Sequence, residues 1–85
     1  MNSEDKHRPY SRKTAVAIGE LRKFRAIGEK FNYMGIEMIV ESHVDMVKYI
    51  GFIPYLTAAY KNNNGELKHA YFKYSELPAL IAENS

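Results

Sequence analysis

The hydrophobic positions of this chain change period near residue 30, from a spacing that suits a helix to one that suits a strand. In "SRKTAVAIGELRKFRAIGEKF", Ala17, Leu21, Phe24 and Gly28 fall on one stripe at helical spacing, flanked by Ile18 and Ile27, while Arg22, Lys23 and Ala26 face away. The helix is expected to begin at Ser11 or Thr14. Gly19 within it costs about 1 kcal/mol relative to alanine, and Gly28 is its natural C-terminal stop.

From Ile36 the period is two. Ile36, Met38, Val40, Ser42, Val44 and Met46 alternate with Glu37, Ile39, Glu41, His43 and Asp45, the pattern of a strand with one wet face. Residues 30–34 are its expected hairpin partner, turning at Gly35. A second hairpin follows a less regular stretch, "VKYIGF", in which Gly51 marks a bend. "FIPYLTAAY" is rich in aromatic and β-branched residues, "KNNNG" tolerates positive φ, and "ELKHAYFKY" runs back. Pro54 has no N–H to give a ladder and belongs at an edge or a bulge. Ser75, Glu76, Leu77 and Pro78 read as the cap and first turn of a short helix reaching about Glu83, with Leu77, Leu80 and Ile81 on its apolar side.

These elements predict an α+β domain: an N-terminal helix, a four-stranded antiparallel sheet of two hairpins, and a short C-terminal helix. The one-sided sheet closes over its apolar face either by curling, in a layout similar to a small SH3-like partial barrel, or by accepting the first helix. Leu21, Phe24, Met38, Val40, Leu56 and Leu80 are the expected core. Residues 1–10 read as a flexible basic tail and 11–85 as one domain, because 85 residues cannot supply two cores.

Composition adds limits. Hydrophobic residues at 46% and charged residues at 26% suit a globular chain. The absence of cysteine excludes a disulfide framework and thiolate zinc sites, and it favours a reducing interior. The charged start "MNSEDKHRPYSRK" and the four-residue apolar run after it suit neither a signal peptide nor a membrane span, so a cytoplasmic protein without a membrane partner is expected.

The net charge of +2 is unevenly placed. Residues 1–30 carry eight basic and four acidic groups, a balance of +4, and residues 31–85 carry four and six, a balance of −2. Seven of the twelve basic residues, Lys6, Arg8, Arg12, Lys13, Arg22, Lys23 and Arg25, precede residue 26, with Glu20 the only acid among them. Such a cluster suits phosphate contacts, and it also suits nothing more than a solvated helix face. Among the aromatics, Tyr71 alternates with Phe72 in "HAYFKY" and is the first candidate for stacking on a base; ring for ring, core packing is the commoner role.

Catalytic chemistry finds little support. Glu41, His43 and Asp45 would share one face of a strand, yet their side chains would stand about 6 to 7 Å apart and need not converge on a metal. Ser42 and His43 point to opposite sides, which excludes a nucleophile and base pair. His7 and His69 lack metal-helix spacing, and neither G-x-G-x-x-G nor G-x-x-x-x-G-K occurs. The expectation is a small non-enzymatic nucleic-acid-binding or regulatory protein, with no cofactor and no metal. Its phosphate contacts would come from Lys6, Arg8, Arg12, Lys13, Arg22, Lys23 and Arg25, with Tyr71 as a stacking platform. The rival is a protein-binding adaptor or inhibitor, of a size that phages and mobile elements encode, acting on a host protein through a sheet edge or an aromatic patch. Oligomeric state and the identity of the partner are open at this level.

Overall fold

The computed structural model describes residues 11–48 and 51–85. The basic tail, with Lys6 and Arg8, lies outside the described residues. Helix α1 (Arg12–Phe24) is followed by strands β1 (Lys30–Tyr33), β2 (Ile36–Val47), β3 (Gly51–Lys61) and β4 (Leu67–Lys73). A 3-10 turn (Tyr74–Glu76) then leads into helix α2 (Leu77–Glu83). The sheet is an antiparallel meander in the order β1-β2-β3-β4, so β1 and β4 are its edges. Its apolar face is closed by the two helices.

Local chemistry explains most boundaries. Ser11 caps α1 by accepting from the Thr14 N–H at 3.2 Å. Met34 and Gly35 both have positive φ, as a two-residue turn whose twist matches the flanking strands requires. In the β3–β4 loop the Asn62 side-chain oxygen accepts from the N–H groups of Asn64 and Glu66, both at 2.9 Å, and Gly65 takes the positive φ. Pro54 sits where the β2–β3 register shifts and beyond the end of the β3–β4 ladder, so its missing N–H costs no bond to β4.

The core joins Leu21 of α1, Phe31, Met38, Val40, Leu56, Ala58 and Phe72 of the sheet, and Leu77 and Leu80 of α2. Phe31 packs edge-on against Phe24 and Phe72, with ring centroids 5.7 Å apart in each pair. Of the expected core residues Phe24 is only half-buried, and the Arg25 guanidinium lies over its ring, 4.7 Å from the centroid.

Three local expectations are corrected. Helix α1 ends at Phe24 and does not run on to Gly28: Arg25 is extended, and its guanidinium donates to the carbonyls of Phe24 at 2.7 Å and Lys30 at 2.8 Å. Ile27 consequently lies outside the helix and is exposed, and Gly28 takes its positive φ in the turn before β1. At the other end Ser75 is not a cap. It lies within the 3-10 turn, and Glu76 reaches back to accept from the Lys73 N–H at 2.7 Å.

The third correction concerns β2. The register shifts between Val40 and Ser42 and again between Ser42 and Val44. Ser42 holds this bulge, donating to the Val44 carbonyl at 2.9 Å and accepting from its N–H at 3.3 Å. Strict alternation breaks there. His43 turns inward and is only 3% exposed, and its Nε2 donates to the Arg25 carbonyl at 2.7 Å. Glu41, on the other side of the sheet, accepts from His69. The wet face that was to carry Glu41, His43 and Asp45 together does not exist.

Candidate nucleic-acid interface

The buried side of α1 is Ala17, Ile18 and Leu21. At 100° per residue this leaves Arg12 and Lys23 near the centre of the solvent side, with Lys13 and Arg22 on its two flanks. All four are exposed, and none forms an ion pair among the described residues, where the ion pairs are Lys30 with Glu37 and His69 with Glu41. They span about 16 Å along the helix axis.

Glu20 is the one acid on this helix, and it is already engaged. Its carboxylate accepts from the Tyr74 hydroxyl at 2.5 Å, which ties α1 to the 3-10 turn. That hydrogen bond, with some desolvation and the carboxylate charge beside it, raises the Tyr74 phenol above the ordinary tyrosine range. With Glu20 turned to Tyr74, the four cations dominate the outer surface of α1.

Their placement also runs against helix electrostatics. Arg22 and Lys23 in the last turn complement the negative end of the helix dipole. Arg12 and Lys13 stand in the first turn, where the dipole is already positive and where α1 has no acidic residue. Their presence there costs the helix stability and concentrates positive potential at that end.

Among the described residues, the expected site residues do not all come together as one patch. Arg25 is committed to Phe24 and Lys30 and serves as the staple that ends α1. Tyr71 is 63% exposed but lies on the face of the sheet away from α1, since its neighbour Phe72 is buried beneath the helices and its cross-strand partner is Thr57. No single flat footprint covers both Tyr71 and the α1 cations.

A feature not visible in the residue pattern is the contrast between the two sheet edges. On β1 most of the outward backbone groups are taken: the Lys30 carbonyl by Arg25, the N–H and carbonyl of Asn32 by Asn84, and the Met34 N–H by Glu83. On β4 the Asn62 N–H donates to the Glu66 carbonyl, so Glu66 and its alternate residues face β3. Leu67, His69, Tyr71 and Lys73 then carry the outward groups, and among the described residues only the Lys73 N–H of these is met, by Glu76. Strand order decides which strand is an edge, which is why no run of residues announces it.

No family model matches the chain, and no curated protein or solved structure matches it. No helix among the described residues is long and apolar enough to cross a membrane.

Proposed function

We propose that this chain is a small non-enzymatic nucleic-acid-binding protein that holds the phosphate backbone against the outer face of α1. Arg12, Lys13, Arg22 and Lys23 are the contacts, extended by Lys6 and Arg8 of the tail. The observation that supports this reading is the set of four exposed cations, unpaired among the described residues, on a helix whose one acid is turned to Tyr74. Contacts of this kind set affinity and position but read no bases, so binding is tolerant of sequence.

Counterion release supplies the test. Four phosphate contacts on duplex DNA give a slope of log affinity against log salt of about −3 to −4. Fluorescence anisotropy with a labelled duplex, from about 50 to 200 mM salt, measures it. Replacing the four cations by Gln, which has similar helix propensity, removes most of the slope and leaves the fold intact. No binding by the unaltered protein at about 50 mM salt, where screening is weakest in that range, would sink the reading. The protein-binding alternative then takes its place, favoured by the open edge of β4.

A further inference from the structure

We infer that β4 is the self-association edge of this protein, and that its occupant is the β4 strand of a second copy, paired antiparallel about Ala70 to make one continuous eight-stranded sheet. The inference is independent of the α1 reading. It starts from the asymmetry of the edges: Arg25, Glu83 and Asn84 meet most of the outward groups of β1, whereas among the described residues nothing meets those of Leu67, His69 and Tyr71, along a seven-residue strand without proline. Proteins blunt free edges of that length or use them.

The sequence of β4 selects the register. A two-fold axis at Ala70 sets His69 opposite Tyr71, Lys68 opposite Phe72 and Leu67 opposite Lys73, so no cation faces another. Sliding by two residues one way brings His69 opposite Lys73. Sliding the other way runs the pairing into the turn at Gly65. In the Ala70 register the outward residues His69 and Tyr71 meet as hydrogen-bonded pairs. Ala70, whose own bonds go to β3, meets its copy as the close, non-hydrogen-bonded pair on the axis. Alanine there lets the backbones approach.

The lysines of β4 have a bland reading, as charges that discourage edge pairing. Lys68 and Lys73 do discourage other registers; in this one each lies beside an uncharged residue, with its stem along Phe72 or Leu67. The two-fold axis is perpendicular to the sheet, so both copies of α1 lie on the same side. The dimer presents two sets of α1 cations in one direction.

The interface is short and falls in the weak class. Sedimentation equilibrium on the full chain from about 10 µM to 1 mM is expected to show a reversible monomer–dimer equilibrium with a midpoint in the micromolar range. Tyr71→Pro removes an N–H that β3 does not use, so this variant keeps its fold by circular dichroism and dissociates at least about tenfold more readily. The protein has no cysteine, so Ala70→Cys gives a unique thiol. Its pair on the axis has the Cα separation a disulfide accepts, and mild oxidation should cross-link it at least tenfold faster than Asn63→Cys in the exposed loop. A monomer throughout the concentration range overturns the inference. So does a dimer that survives Tyr71→Pro, or equal cross-linking rates for the two cysteine variants.

Discussion

Asn84 pairs with Asn32 as a neighbouring strand would: its side-chain oxygen accepts from the Asn32 N–H at 2.8 Å and its amide nitrogen donates to the Asn32 carbonyl at 2.9 Å. One side chain thereby closes an edge residue in both directions, while also donating to the Leu80 carbonyl at the end of α2.

Asn84→Ala is expected to cost about 1 to 2 kcal/mol, the yield of two solvent-accessible hydrogen bonds. Urea denaturation reads the stability loss, and hydrogen exchange at the Asn32 amide should accelerate more than exchange in β3. An unchanged Asn32 amide would show that the clamp contributes nothing in solution.

Leu21 and Leu56 are both fully buried in the same cluster, one from α1 and one from β3. Replacing either by Ala is expected to cost about 2 to 5 kcal/mol, and the double variant should fall short of the sum if the two vacated volumes in this one cluster merge. If Leu21→Ala leaves the melting temperature in place, α1 is not packed on the sheet.

His43 is the one buried polar residue among the described residues, and it joins the bulge of β2 to the end of α1. His43→Phe fills much of the same space but leaves the Arg25 carbonyl without its donor, at an expected cost of about 1 to 3 kcal/mol. A residue on a wet sheet face would tolerate that change within about 0.5 kcal/mol. Thermal denaturation separates the two.

The Tyr74 phenol is raised above its ordinary value chiefly by its hydrogen bond to Glu20, so folding favours the protonated form. Its contribution to stability is complete below the unfolded tyrosine value of about 10 and is lost as pH rises through the higher folded value. The stability difference between the unaltered protein and Tyr74→Phe should therefore be constant near neutrality and shrink above about pH 10. Carbon-13 tyrosine NMR on Glu20→Gln should show the Tyr74 titration moving down; no movement would mean that the pair does not persist in solution.

The sheet was legible in the chain because a period of two, Met34-Gly35 and the Asn-rich loop are local signals that physics turns directly into strands and turns. Leu21, Met38, Val40, Leu56 and Leu80 could likewise be placed inside from periodicity alone. The bulge at Ser42 was not legible: the register shifts by one residue before Ser42 and shifts back by Val44, which turns His43 inward while Glu41 and Asp45 stay exposed, and a register is a property of two strands together.

For the same reason the candidate site was legible as charges and not as a surface. The abundance of Lys and Arg before residue 26 is a property of the sequence. Only tertiary contacts took Arg25 out of that set and placed Tyr71 on the far side of the sheet, because Arg25 answers to Lys30 and Tyr71 to the burial of Phe72. Which backbone groups stay open was decided entirely in three dimensions. Every strand carries the same N–H and carbonyl groups, and only strand order, with Arg25, Glu83 and Asn84 beside β1, leaves those of β4 facing outward.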